Sequence, residues 1–364
     1  MVPDLRFKFN LEWDKENIGN LIEKTGKKAK NHELNYIPYS ITNIDGFIIQ
    51  ADNWDGGSYV QASKEGYKVI YNNEIAYNPA RINVGSIGYF DKNVGIISSL
   101  YVCFKTKNKL LSKYLYHFMK SNTFRKIVMK RQEGGVRDYF FYENLCGVKI
   151  SYPIIEEQEK IVSFLELINQ RISIQKKIIE CYESLIKSIY NIILSNKANQ
   201  KLGYLCDVKK GTQLNSEDFE DDGTYPVING GINISGYTNN YNSNNLITIS
   251  EGGNSCGYVN YLKEKFWSGG HNYTLIKKCE FNYDYLFHYL KYKEKEIMSL
   301  RVGSGLPNIQ KPSLSKFPVF IPDINLQNKY AQILNTILNK INDEKSILQL
   351  YTKEKEYLLN KLFI

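Results

Sequence analysis

Histidine is scarce in this chain, four among 364 residues, and no two of the four lie at the spacing of a metal-ligating pair. Cysteine offers no metal site either. Cys103, Cys146, Cys181, Cys206, Cys256 and Cys279 are scattered without a Cys-x-x-Cys pair. That pattern excludes a zinc knot and a disulfide framework, and it points to a reducing, cytoplasmic compartment. No run of about 18 apolar residues occurs, and the opening MVPDLRFKFN lacks the apolar core of a signal peptide, so a soluble intracellular protein is expected. The glycines at Gly85, Gly88, Gly252 and Gly253 do not form a G-x-G-x-x-G between a strand and a helix, which removes the usual dinucleotide loop.

What the chain does have is a long helical signal. From Glu156 to Leu194 it contains neither glycine nor proline. Ile161, Leu165, Ile168, Ile172, Gln175, Ile179, Tyr182, Ile186, Ile189 and Ile193 follow one another at alternating spacings of four and three. A seam of that kind packs against another helix, and at 1.5 Å per residue the rod would be roughly 57 Å long. Adding 169 to each number gives Tyr330, Leu334, Ile337, Ile341, Glu344, Leu348, Tyr351, Lys355, Leu358 and Leu362, of which eight in ten are apolar. The same offset carries Pro153 to Pro322, Gln158 to Gln327 and Leu145 to Leu314. One repeat is thus half the protein.

The repeat sets the expected architecture: α+β, with two globular domains of mixed α/β type separated by a long two-helix antiparallel coiled coil, related by an internal pseudo-twofold. The boundaries read as 1–152, a central helix over 153–198, a second domain over 199–321 and a C-terminal helix over 322–364. Ile161, Leu165, Ile168, Ile172 and Ile179 would pack with Leu334, Ile337, Ile341, Leu348 and Leu358. Within the first domain Tyr36–Thr42 reads as a strand that Pro38 confines to an edge or a bend, and Gly95–Phe104 as a further strand. Leu110–Lys120 reads as a helix and Gln132–Arg137 as a loop. In the second domain Leu246–Ser250 reads as a strand, Gly257-Tyr258 aligns with Gly88-Tyr89, and His288 aligns with His117. Both histidines sit on aromatic helical faces, where a satisfied packing role is expected.

The net charge is +9, and its placement matters more than its size. Residues 1–152 hold 22 Lys and Arg against 15 Asp and Glu, whereas 201–322 hold 13 against 12. From Lys105 to Arg131 there are nine basic residues and no acidic one. Such a face suits a polyphosphate, since phosphate contacts supply most non-specific binding energy.

Two domains, each followed by Pro-x-x-x-x-Gln and an Ile/Leu-rich helix, resemble the specificity subunit of type I restriction-modification enzymes. Pro153-Ile-Ile-Glu-Glu-Gln and Pro322-Asp-Ile-Asn-Leu-Gln carry the resemblance, with Val84-Gly-Ser-Ile-Gly and Gly252-Gly-Asn-Ser-Cys-Gly upstream. It implies that the domains are target recognition domains, each reading half of a bipartite site on double-stranded DNA. It implies helices that space the domains and dock methyltransferase subunits, expected to be two, with restriction or translocase subunits as further partners. No cofactor is expected in this chain; S-adenosylmethionine, ATP and Mg would belong to the partner subunits. A catalytic role is not expected: the only Asn-Pro, Asn78-Pro79, lacks the second proline and aromatic of an adenine methyltransferase. Alternatives are the recognition subunit of a related, type II-like system and a coiled-coil scaffold that binds no DNA.

Candidate DNA contacts are Arg81, Lys126, Lys130, Arg131 and Arg137 in the first domain, because guanidinium and ammonium groups clamp phosphate and Arg also reads guanine. In the second they are Asn229, Asn233, His271, Arg301, Asn308 and Gln310, since Asn and Gln can pair with the adenine edge.

Overall fold

The computed structural model describes residues 5–7, 11–43, 46–53, 64–131, 139–303, 305 and 307–363. Arg137 and the expected loop over 132–137 lie outside them. The first half of the chain runs β1 (Asp14–Asn17), α1 (Ile18–Leu21), β2 (Ile22–Lys24), β3 (Pro38–Thr42), β4 (Gly46–Ile49), β5 (Lys68–Tyr71) and β6 (Ile75–Tyr77). It continues with β7 (Ile87–Tyr89), β8 (Val94–Ile97), β9 (Val102–Thr106), α2 (Ser112–Met119), α3 (Asn122–Arg131), α4 (Tyr142–Cys146), β10 (Lys149–Tyr152) and α5 (Ile155–Leu194). The second half begins with β11 (Gln200–Lys201), α6 (Leu202–Leu205), β12 (Cys206–Lys210), β13 (Tyr225–Ile228), β14 (Gly236–Thr238), β15 (Ser243–Ser250) and β16 (Val259–Ser268). There follow β17 (Asn272–Lys277), α7 (Tyr283–Tyr292), α8 (Glu294–Met298), α9 (Lys311–Ser315), β18 (Pro318–Val319) and α10 (Ile324–Leu362).

These elements form two compact units, Met1–Gln175 with Ile347–Ile364, and Lys176–Ser346. Each unit therefore takes one part of α5 and one part of α10. In the first, Ile161 and Leu165 share a core cluster with Leu358, Leu359, Leu362 and Phe363, so the start of α5 lies beside the end of α10. In the second, Tyr190 and Ile193 cluster with Ala331 and Leu334, so the end of α5 lies beside the start of α10. The helices are antiparallel in both. Each of the ten seam positions expected on either helix is buried or half-buried. Burying a Leu or Ile contributes about 1.5–3 kcal/mol, whereas an exposed pair such as Lys345–Glu183, 3.1 Å apart, contributes about 0–1 kcal/mol. Apolar burial sets the pairing.

In the first unit one sheet has the order β2-β9-β6-β7 and a second the order β4-β3-β8-β5. Tyr77 and Phe104 from the first sheet join Tyr114, Phe118, Phe124 and Val128 from α2 and α3 in the main core. Tyr39, Ile41, Ile70, Phe90 and Ile97 fill a smaller one. Two expectations need correcting. Pro38 opens a strand with neighbours on both sides, antiparallel β4 and parallel β8. The missing donor costs nothing there, because it is Ile37 that meets β8, its carbonyl accepting from Ile96 N at 3.0 Å. The stretch Gly95–Phe104 is two strands, divided by a turn in which Tyr101 N donates to Ser98 O at 3.2 Å.

The second unit is built around one sheet of order β12-β17-β15-β16-β13-β14. Its logic repeats the first: β15 pairs antiparallel with β16 and β17 as β6 does with β7 and β9. The repeat slips by three residues within that hairpin. Gly85, at φ +91°, stands two residues before β7, and Gly257, at φ +90°, stands two residues before β16. Gly257 therefore corresponds to Gly85 and not to Gly88.

The Pro-x-x-x-x-Gln motif is explained by a buried latch present in both units. Gln158 Oε1 accepts from Leu111 N at 2.9 Å while its Nε2 donates to Pro153 O at 2.8 Å and Lys109 O at 3.0 Å. Gln327 Oε1 accepts from Asn282 N at 2.9 Å and its Nε2 donates to Pro322 O at 2.8 Å. Leu111 and Asn282 are the N-caps of α2 and α7, so each glutamine fastens the foot of a long helix to the start of a short one.

A second tie lies one turn or more further on. His117, 1% exposed, donates from Nε2 to Glu166 Oε1 at 3.0 Å, because the ionised carboxylate can only accept. At the matching place His288 Nε2 lies 2.8 Å from Asn335 Oδ1. Burial lowers the pKa of both histidines, and the bond from His117 pulls Glu166 down to about 2 from its ordinary 4.5. The unfolded chain thus takes up protons first at both groups. The first unit should lose stability as pH falls below about 6.5, where unfolded His117 protonates, and again from 4.5 towards 2 as Glu166 does. Glu166 is 34% exposed, so screening limits its share to about 1 kcal/mol. Urea midpoints from pH 7 to 3 should show that Glu166→Gln flattens the lower segment, and an unchanged slope would refute this account.

Candidate nucleic-acid interface

In the first unit the basic stretch divides by what each cation already does. Lys105 pairs with Glu23 at 3.3 Å and Lys113 with Glu166 at 3.7 Å. Lys107 Nζ donates to Asn20 O at 3.0 Å. Lys120 donates to Gly85 O at 2.8 Å and is buried enough to bring its pKa down to about 8. The continuous basic face expected from the sequence is therefore interrupted.

Four cations remain on α3. Phe124 and Val128 turn one side of this helix into the core, which leaves Arg125, Lys126 and Lys130 exposed away from it and Arg131 exposed at the helix's last residue. Among the described residues none of these four pairs with a carboxylate. The turn at Ile82–Val84 packs on α3, and Arg81, its exposed N-cap, stands beside the helix. Arg81, Lys126, Lys130 and Arg131 thus share one region. Arg125 was not singled out from the sequence, although it adjoins Lys126 in the same basic stretch.

In the second unit an open cleft of about 600 Å³ is lined by Lys210, Asn229, Gly230, Glu251, His271 and Asn308, among others. Three of the six residues named from the sequence, Asn229, His271 and Asn308, meet there. Asn233, Arg301 and Gln310 are exposed but do not line it, although Gln310 Nε2 donates to Asn308 Oδ1 at 2.9 Å. Asn229 Nδ2 donates to Leu214 O at 3.0 Å, and its buried Oδ1 has no partner among the described residues. Gly230, at φ +94°, passes so close to the chain that a Cβ would stand 2.2 Å from His271 O. Only glycine lets the two strand ends meet at the floor of the cleft.

Lys210 and Glu251 were missed. Glu251 directly follows β15 and lines the cleft with its side chain 13% exposed, and Lys210 Nζ lies 2.8 and 2.7 Å from its two oxygens. Among the described residues no group of His, Cys, Asp and Glu is placed to hold a metal ion, and no helix is long and apolar enough to cross a membrane. Cys103 is buried, which pushes its thiol up to about 12 and leaves it unreactive.

The fold and its surfaces define a tandem α+β protein, each half closing on a long helix by the same latch and presenting different polar side chains. The chain belongs to the type I restriction modification DNA specificity domain family, whose pattern matches residues 10–182 and 195–350. A protein of Mycoplasma pneumoniae described as a type I specificity subunit is 32% identical over 173 residues, 46% of each chain. One of Mycoplasma genitalium so described is 29% identical over 172 residues, 46% of this chain and 45% of that one. The matches thus span about half the length of these relatives. The crystal structure of a type I restriction-modification S subunit from M. genitalium covers 100% of this chain and 99% of its own at TM-score 0.69 and 19% identity, a likeness of fold.

Proposed function

We propose that this chain is the DNA sequence-recognition subunit of a type I restriction-modification complex, with segments 1–152 and 199–321 each reading one half of a bipartite site. The helical segments 153–198 and 322–364 space the two and dock methyltransferase subunits, two in number. The chain is not a catalyst. Methyl transfer from S-adenosylmethionine and ATP- and Mg-dependent cleavage belong to methyltransferase and translocase partners in the cytoplasm. One observation carries the reading: the same glutamine latch occurs twice, while the side chains offered outward from matching loops differ. A scaffold has no use for that divergence, whereas two readers of different half-sites require it.

Four exposed cations on α3, none paired with a carboxylate among the described residues, support DNA as the partner and oppose the reading as a scaffold. Replacing Arg125, Lys126, Lys130 and Arg131 together by Gln should weaken binding to random duplex. The slope of log K against log salt should fall by about 0.9 for each phosphate no longer neutralised, up to about 3.6 for four. Binding titrations between about 50 and 200 mM salt measure it. An unchanged slope would remove α3 from the interface.

A further inference from the structure

The cleft of the second unit contains a carboxylate where a polyanion is expected, and this needs a reason. Glu251 is held in place by its main chain: its N donates to His271 O at 2.9 Å and its O accepts from Ile309 N at 2.8 Å. Cys256 Sγ lies 2.9 Å from the same oxygen. Its carboxylate accepts from Lys210 Nζ, and Oε1 also accepts from Tyr273 OH at 3.1 Å. His271 Nδ1 stands 4.0 Å from Oε2. Backbone and side chain together make a fixed acceptor with room for one more donor at Oε2.

Duplex DNA offers few such donors. Phosphate repels a carboxylate, but Lys210, 54% exposed, can turn to a phosphate and leave Glu251 facing the groove. The donors in the major groove are the exocyclic amino groups of cytosine and adenine. Adenine carries its own N7 acceptor beside that amino group and so suits a side chain that both donates and accepts, whereas cytosine offers only the N4 donor on its own edge and suits an acceptor-only side chain. The matching place in the first unit supports the assignment to one half-site. There Phe140 N donates to Pro79 O at 3.1 Å as Ile309 N does to Glu251 O, and proline brings no carboxylate.

From this we infer that Glu251 is a specificity-determining residue that reads the amino group of a cytosine in the half-site bound by the second unit. This rests on the DNA-recognition reading proposed above. The test uses the complete methyltransferase complex assembled with the full chain carrying Glu251 or Glu251→Gln, with methylated sites mapped genome-wide. The half-site of the second unit is first assigned by exchanging 199–321. The native complex requires a cytosine there, and E251Q, which both donates and accepts, admits adenine at that one position with about tenfold or greater relief, the other half unchanged.

A native motif without a required cytosine in that half, or an E251Q motif identical to the native one, overturns the inference. Should E251Q not assemble, the native complex is assayed on duplexes bearing N4-methylcytosine at each cytosine of the half-site. This base keeps its pairing but covers the groove-facing amino proton, so methylation falls at least tenfold at one position; no fall at any position also overturns the inference. If the native motif is not bipartite, the recognition reading itself fails, which is a separate outcome.

Discussion

Exchanging residues 199–321 for the corresponding segment of another family member should replace one half of the methylated sequence and leave the other half, and the number of base pairs between them, as they were. The segment is built to be exchanged. Its ends pair with each other, Gln200 with Val319 and Lys201 with Pro318, so the chain enters and leaves the globular part side by side. Of its ties to α10, Gln327 accepts from the backbone N–H of Asn282, which any residue but proline would supply, whereas His288 to Asn335 depends on the side chain the segment brings. Each mismatched base pair costs about 1–3 kcal/mol, so a half-site of several pairs would change preference by several orders of magnitude. Mapping modified adenines in a host carrying the hybrid reads the outcome. If both halves changed together, independent reading by the two domains would be wrong.

The long helices were legible because a heptad seam is a local pattern, and the same arithmetic that found α5 found α10. Internal repetition made the Pro-x-x-x-x-Gln spacing visible too, but not its purpose: the partners of Gln158 lie at Leu111 and Lys109, and no rule of local spacing reaches them. The cations were harder. Lys120 and Arg125 look alike in sequence, yet one is packed against Gly85 and the other points outward, a difference set by which face of its helix meets the core. Glu251 was invisible for another reason. A search for polyanion contacts selects Lys, Arg, Asn and Gln, and only the cleft around Glu251 makes a carboxylate worth asking about. The three-residue slip in the β15–β16 hairpin likewise escaped a fixed offset, since it shows only in strand register and in the two glycines of positive φ.

Replacing Gln158 by Ala should cost the first unit about 3 kcal/mol or more, and Gln327→Ala should do comparable damage to the second. Gln158 is 0% exposed and Gln327 is 2% exposed, so water cannot readily replace what either side chain supplies. Loss of Gln158 strands the N–H of Leu111 and the carbonyls of Lys109 and Pro153. Each buried polar group left unpaired costs about 1–3 kcal/mol, a large share of the roughly 5–15 kcal/mol that holds a domain folded. Gln158→Glu separates the contributions, for a carboxylate still accepts from Leu111 N but meets two carbonyl oxygens with no proton to share. It should therefore be nearly as damaging as alanine despite its matching shape. Hydrogen exchange over α2 and α7 reads the two units separately: Gln158→Ala should speed opening of α2 and spare α7, and Gln327→Ala the reverse. Exchange that rises equally in both helices, or a destabilisation below about 1 kcal/mol, would show that the seam alone holds each domain to its helix and that the latch adds nothing.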